Sequence, residues 1–378
     1  MIDKILLFPY YAVLKLRDSL YRKGIRKSHP ADVPTVSLGN ITAGGTGKTP
    51  HTEMILRELL ASDEWGGRNL AVLSRGYKRE SSGFQQVSGS GSAAMFGDEP
   101  LQIKKNFPSV TVAVDKDRIE GCRFLSHPEE LEKSRAGGKC WDKIFPAADL
   151  IVLDDAFQYR KLKATVSIVL VNFNRPLHKD KLLPLGRLRD LPERIGDADI
   201  IIVTKCPYEL DDWQKTVWAE TLGIRDFSTI SCKGTSTSGK CQFVFFSRIS
   251  YDPPQPIFDS SDSRYIYSKR MILFTGIAGD KPLRDYLSDK YKVVRRLTFP
   301  DHHRYTWSDF QKIQRATLHY PTAAVATTEK DAQRVLDYNG LPLSLREKML
   351  MIPIKVEFLS EGEHAIFGRT LLGMLGRI

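Results

Sequence analysis

From Val36 to Pro50 the chain reads Val-Ser-Leu-Gly-Asn-Ile-Thr-Ala-Gly-Gly-Thr-Gly-Lys-Thr-Pro, an apolar run entering a glycine-rich stretch that ends in Gly-Lys-Thr. Glycines let backbone N–H groups converge on phosphate oxygens, and the start of a following helix adds partial positive charge. Met54, Ile55, Leu59 and Leu60 recur at helical spacing just after it. The loop therefore has the strand-before, helix-after context that a phosphate cradle needs. Thr42, Ala43, Gly44, Gly45, Thr46, Gly47, Lys48 and Thr49 are expected to hold a nucleotide, with Lys48 at the β/γ-phosphates and the Thr49 hydroxyl on Mg²⁺. Thr42 stands where the general pattern has its first glycine. A chance glycine turn is the competing reading, and the flanking elements argue against it.

Such a loop needs a second metal anchor, and Leu150-Ile151-Val152-Leu153-Asp154-Asp155 runs four apolar residues into two carboxylates. Ligands of open α/β sheets sit at that end of a strand. One acid is expected on the metal, the other ordering its surroundings; the sequence does not divide the roles, and a helix-capping pair is the plainer alternative. Gly97-Asp98-Glu99-Pro100 places two more carboxylates at a helix start. They complement a helix dipole, and Asp98 is also a candidate base for a hydroxyl acceptor. Asp301-His302-His303 reads either as a surface loop or as a histidine that tunes an Asp across a domain cleft.

Two basic segments follow expected strands: Ser74-Arg75-Gly76-Tyr77-Lys78-Arg79, and Leu182-Leu183-Pro184-Leu185-Gly186-Arg187-Leu188-Arg189. Arg75, Arg187 and Arg189 are candidates to clamp phosphate on a substrate, with a solvated face as the alternative. Val203-Thr204-Lys205-Cys206 lies where a guanine-reading motif would sit, but Pro207 replaces its aspartate.

These groups need a frame. Thr35 to Leu38, Leu70 to Ser74, Val110 to Val114, Leu150 to Leu153, Val166 to Val171 and Ile200 to Thr204 are short continuous apolar runs. They are the pattern of strands buried on both faces, alternating with helical stretches. The fold class is α/β: a P-loop NTPase-like, doubly wound parallel sheet. Residues 232 to 240 are small and polar, and Pro253, Pro254 and Pro256 follow. The sequence is accordingly divided into an N-terminal helix over 1–30, a kinase-like core over 31–230, a linker or extended hairpin over 231–265, and a smaller C-terminal α/β domain over 266–378. In the last segment Met271 to Thr275, Ala323 to Ala326 and Leu350 to Ile354 are its expected strands.

The 378 residues carry 56 Lys and Arg against 45 Asp and Glu, a net charge of +11 that points to anionic partners. The five cysteines are scattered without CxxC spacing, which disfavours a disulfide framework and implies a reducing compartment. Ile2, Ile5, Leu6, Leu7, Phe8, Tyr10, Tyr11, Val13, Leu14 and Leu16 form an aromatic-rich apolar segment, followed by Arg17, Arg22, Lys23, Arg26 and Lys27. It lacks a signal peptide's order of charge and cleavage site, and it falls short of the roughly 18 to 20 unbroken apolar residues of a membrane span. A helix lying on an acidic membrane surface is expected, with packing on the protein's own core as the alternative.

Taken in order, these motifs resemble the tetraacyldisaccharide 4'-kinase family, the lipid A kinases of Gram-negative bacteria. The resemblance covers nearly the whole chain. It includes Gly-Asn-x-Thr-x-Gly-Gly-x-Gly-Lys-Thr-Pro, Leu-Ser-Arg-Gly-Tyr, Gly-Asp-Glu-Pro, Asp-Asp-x-Phe-Gln, Leu-Leu-Pro-x-Gly-x-Leu-Arg, Phe-x-Asp-His and Thr-Glu-Lys-Asp (Thr328 to Asp331). Thr42 belongs to that family's form of the loop. The resemblance implies transfer of the γ-phosphate of ATP to the 4'-hydroxyl of an anionic glycolipid, tetraacyldisaccharide 1-phosphate, at the cytoplasmic face of the inner membrane, yielding lipid IVA. It implies Asp98 as catalytic base with His302 as its partner, Lys48 on the phosphates, and Thr49, Glu99, Asp154 and Asp155 serving Mg²⁺. Two departures stand out. Ala156 and Tyr159 replace the family's usual Gly and His after the Asp pair, and Gly276 to Pro282 differs from its usual Asn-Pro turn.

A membrane-associated P-loop ATPase that drives a protein partner is the alternative of another class. It would keep Lys48, Thr49 and Asp154 but would have no use for Asp98 with His302. Neither an obligate protein partner nor nucleic acid is expected, since charge alone, without a recognition motif, is a weak sign of nucleic-acid binding.

Overall fold

The computed structural model describes residues 2–134 and 137–376, with side chains from Leu7 onward. The side chains of Ile2, Ile5 and Leu6 in the expected apolar segment lie outside the described residues. One eleven-stranded sheet carries the phosphate loop, and a five-stranded sheet forms a second body. Across the large sheet the strands run Ile224–Ser228, Lys233–Ser236, Cys241–Tyr251, Ile200–Thr204, Val166–Asn172, Thr35–Asn40, Leu150–Asp154, Leu70–Ser74, Thr111–Val114 and Gln85–Gln86. The interior pairings from Cys241–Tyr251 to Thr111–Val114 are parallel. All residues of Thr35–Asn40, Leu150–Asp154 and Ile200–Thr204 are buried, the burial on both faces that their unbroken apolar runs demand.

Strand order fixes where chemistry can occur. From Thr35–Asn40 the chain winds outward to Leu70–Ser74 and Thr111–Val114, returns to Leu150–Asp154, then crosses to the other side at Val166–Asn172. The reversal opens a crevice beyond the carboxyl ends of Thr35–Asn40 and Leu150–Asp154, where such sheets bind ligands.

Within residues 231–265, Lys233–Ser236 and Cys241–Tyr251 pair antiparallel and extend the large sheet. The far end of Cys241–Tyr251 pairs antiparallel with Ile354–Phe358, so the C-terminal segment supplies the eleventh strand of the large sheet. In the small sheet Met349–Ile352, Ala324–Thr328, Arg270–Thr275 and Lys292–Thr298 lie parallel. The last helix, Glu361–Leu375, returns to the large sheet and buries Phe367, Leu371 and Leu375 in its core. There Phe245 meets the Phe358 and Phe367 rings edge-on at 5.8 and 5.3 Å between centroids.

The N-terminal helix Ile2–Arg22 is docked on the large domain. Leu14 is buried, Leu7 and Tyr10 pack on the core beneath it, the Tyr10 hydroxyl donates to the Arg189 carbonyl, and Arg160 pairs with Asp18. Its opposite side leaves Phe8 65%, Val13 62% and Leu16 63% exposed. Packing on the protein's own core thus accounts for one side of the helix, and the other side is exposed. Among the described residues no helix is long and apolar enough to cross a membrane.

Candidate active site at the domain cleft

Strand Thr35–Asn40 delivers the loop, and helix Lys48–Ala61 begins at its end. Gly44, Gly45 and Gly47 hold φ of 73°, 68° and 83°, a left-handed run open to glycine and strained for other residues. A Cβ on Gly44 or Gly45 would meet nothing within 4 Å, so the backbone faces open space where phosphate fits. Side chains brace this cradle from behind. Asn40 Nδ2 donates to Thr46 Oγ1 at 2.7 Å, and Thr204 Oγ1 donates to the Thr46 carbonyl at 3.0 Å. The His51 ring bridges the Gly47 carbonyl and Ser247 Oγ, and burial pulls its pKa down to about 4, so it braces the loop as a neutral ring.

The paired acids take different partners. Asp154 is fully buried, accepts from Ser74 Oγ at 3.1 Å and Thr52 Oγ1 at 3.4 Å, and is pushed up to about 6 by burial and then by Glu99 and Asp155. Burial also pushes Asp155 up, but the Arg189 hydrogen bonds and the charges of Lys48 and Arg189 outweigh it and leave the carboxyl below its ordinary range. Arg189 donates to both Asp155 oxygens and to Asn40, while Lys48 Nζ lies 3.8 Å from Asp155 Oδ1. Arg189 therefore turns inward, onto Asp155 and Asn40. Arg187 and Arg75 are exposed. The Arg187 backbone carbonyl accepts from Ala43 N at 2.6 Å, which ties the basic segment to the phosphate loop.

The second domain closes the site. Helix Asp98–Asn106 sets Asp98 and Glu99 in its first turn. His302 Nδ1 lies 3.1 Å from Asp98 Oδ2, and His302 itself holds φ of 59° with its N–H on the Gly276 carbonyl. Helix Glu329–Leu336 adds two cations one turn apart: Lys330 on Glu99, and Arg334 on Asp98 through Nε at 2.8 Å and Nη2 at 2.6 Å. Burial opposes ionisation of Asp98, but the bonds from His302 and Arg334 hold it down to about 2. The Lys330 charge holds Glu99 below its ordinary range against burial, with Lys48 helping. Gly276 lies where the C-terminal domain's own groups crowd together, since its Cβ would stand 2.9 Å from Asp331 Oδ1 and 3.1 Å from the Tyr305 hydroxyl.

The carboxylates of Glu99, Asp154 and Asp155 with the Thr49 hydroxyl are hard oxygen donors of the kind Mg²⁺ takes. Among the described residues no group of three or more His, Cys, Asp or Glu is gathered as a complete metal cage. An incomplete set suits an ion that keeps waters and shares a nucleotide's phosphates.

The match to known proteins covers the same span as the geometry. A family model described as tetraacyldisaccharide-1-P 4'-kinase, LpxK, matches residues 4–372. The chain belongs to the tetraacyldisaccharide 4'-kinase family. Relatives of that name from Phocaeicola vulgatus and Parabacteroides distasonis are each 35% identical, over 92% and 94% of this chain and 87% and 89% of their own. The crystal structure of the "apo" form of LpxK from Aquifex aeolicus in complex with ATP matches with a TM-score of 0.68 and 25% identity, covering 99% of this chain and all of that one.

Against the family pattern, Tyr159 replaces a histidine, and its hydroxyl donates to Asp117 Oδ1 at 2.7 Å. Sequence reading left Lys330 and Arg334 without roles. Their i, i+4 spacing within and just after Thr-Glu-Lys-Asp was the available signal, because it sets both on one helix face.

Proposed function

We propose that this chain transfers the γ-phosphate of ATP to the 4'-hydroxyl of tetraacyldisaccharide 1-phosphate, the step that forms lipid IVA. The observation that carries this is the Asp98–His302 pair, one residue from each domain, facing the crevice beside the glycine loop. A hydrolytic ATPase has no need of a base held by a second domain. Lys48 and the loop amides hold the β- and γ-phosphates, and Thr49, Glu99, Asp154 and Asp155 would hold Mg²⁺, which neutralises charge on the transferring group.

Asp98 accepts the proton of the 4'-hydroxyl as its oxygen bonds phosphorus; the bond from phosphorus to the β–γ bridging oxygen breaks, and ADP leaves. A carboxylate held near 2 is a weak base. It suits a loose transition state, in which the acceptor proton departs late and placement matters more than basicity. His302 orients the carboxylate and makes the base depend on domain closure.

The acceptor is an anionic lipid, so the protein works at the cytoplasmic face of the inner membrane. The exposed Phe8, Val13 and Leu16 with the basic residues after the helix supply an interfacial contact. Arg75 and Arg187 serve the acceptor's phosphate. The deciding experiment mixes purified protein, detergent, Mg²⁺, radiolabelled ATP and tetraacyldisaccharide 1-phosphate. Label in a bisphosphorylated lipid, lost in Lys48→Ala, is the expected result. Label released only as inorganic phosphate would leave the ATPase reading instead.

A further inference from the structure

Lys330 brings a positive charge from the second domain to the nucleotide side of the cleft. Its ammonium bonds Glu99 Oε1, and among the described residues that carboxylate is its one hydrogen-bond partner. It also interacts with the charge of Asp98, while Glu99 in turn interacts with Lys48 and Asp155. Lys330 and the phosphate loop's lysine thus act on one carboxylate, Glu99. Arg334, one turn on, is held differently: Asp98, Asp331 and the Gly276 carbonyl all engage its fork.

Building on the kinase reading, we propose that Lys330 is a second phosphate-binding lysine, contributed by the C-terminal domain, which leaves Glu99 for the γ-phosphate when ATP and its metal ion bind. The ammonium offsets the charge of Glu99, to which it is bonded, and more weakly that of Asp98. Once Glu99 turns to the metal ion, a partly buried cation loses its hydrogen-bonded anion, which is costly unless another takes its place. The γ-phosphate is the new anion at hand. A lysine suits the exchange because it is a point charge on a flexible stem, whereas the fork of Arg334 is fixed by three partners. The exchange makes phosphate binding depend on domain closure, so a nucleotide held by the glycine loop alone is incompletely neutralised.

The test is nucleotide affinity of the full chain by titration calorimetry, with ATP and ADP, each with and without Mg²⁺. Lys330→Gln and Lys330→Ala should weaken ATP binding about 10- to 100-fold, as for loss of a charged hydrogen bond, and leave ADP within about twofold. Lys330→Arg should recover part of the loss. In a second arm, Glu99→Gln frees the ammonium. It should tighten Mg²⁺-free ATP in the parent chain but not in the Lys330→Gln background. Equal weakening of ATP and ADP, or tightening by Glu99→Gln in both backgrounds, would overturn the proposal. None of these measurements uses the lipid acceptor, so failure of lipid phosphorylation would leave this test standing.

Discussion

Arg334 and Asp98 meet across the domain boundary, with the arginine's Nε and Nη2 at 2.8 and 2.6 Å from a single carboxylate oxygen, Oδ2. His302 Nδ1 approaches that same oxygen at 3.1 Å. Three donors on one oxygen fix the carboxylate's rotation. Among the described residues none is bonded to Oδ1, which leaves that oxygen open to a further donor. The helix that carries Arg334 therefore holds the Asp98 carboxylate in place.

Arg334→Gln should shift the acid limb of the kcat/KM–pH profile upward. In the native chain Asp98 is held down to about 2, below its ordinary 3.8, and removing the guanidinium leaves burial to push it up. The stability arithmetic has the matching sign. A depressed carboxyl stabilises the fold above its unfolded value and loses that contribution as pH falls from 3.8 toward 2, about 2 kcal/mol in all. The variant should lose this acid-sensitive portion, seen by comparing denaturant midpoints at pH 3 and pH 6. An unshifted acid limb would remove Arg334 from the base's surroundings.

Asp98→Asn should lower kcat roughly 10²- to 10⁴-fold, as for loss of a general base, with ATP affinity kept within a few-fold. Single-turnover transfer from radiolabelled ATP separates the two effects. Near-normal transfer would show that the acceptor proton goes elsewhere, and His302 would be the next group to test.

Much of this arrangement was legible in the residues because its signals are local. The glycine loop, the apolar run into Asp154 and the breaker at Gly97 each declare an element and its end within a dozen residues. The pairing of Asp98 with His302 is of another kind. It spans 204 positions and needs the Gly276 turn, whose crowding by Asp331 and Tyr305 no spacing rule shows. Arg189 looked like a phosphate clamp and lies on Asp155, because a guanidinium beside a buried carboxylate pairs with it before it reaches solvent. Lys292–Thr298 escaped notice as a strand for a simple reason. It is an edge strand with exposed Lys292, Arg295 and Arg296, so it lacks the doubly buried apolar run of its neighbours.

Glu53→Gln should stabilise the protein at high pH more than at low pH. Glu53 lies on the phosphate-loop helix, bonded by Gln102 and Asn106, and Asn106 also reaches Glu329 of the second domain. Burial, then the charge of Glu329, pushes the Glu53 carboxyl up to about 7 from 4.5. Between those values the folded chain holds a proton that the unfolded chain has released, so stability falls as pH rises through this window, by about 3 kcal/mol. Glutamine cannot ionise and should flatten the fall. Melting temperatures at pH 5 and pH 8 give the readout; an equal change at both would mean that Glu53 does not titrate in this window.

Substitutions on one side of the N-terminal helix should separate membrane contact from folding, where truncation cannot. Leu7, Tyr10 and Leu14 pack on the large domain, and Tyr10 is bonded to the Arg189 carbonyl, on the residue that holds Asp155. Deleting the helix would disturb that arginine and so the phosphate loop. Phe8, Val13 and Leu16 lie on the opposite, exposed side. Their joint change to Asp, Asp and Glu removes apolar area that would enter an interface and adds charge that anionic headgroups repel. The triple variant should keep its melting temperature and ATP affinity, lose sedimentation with vesicles of anionic phospholipid, and phosphorylate detergent-dispersed acceptor at near the parent rate. Full sedimentation of the variant would place the membrane contact on another surface.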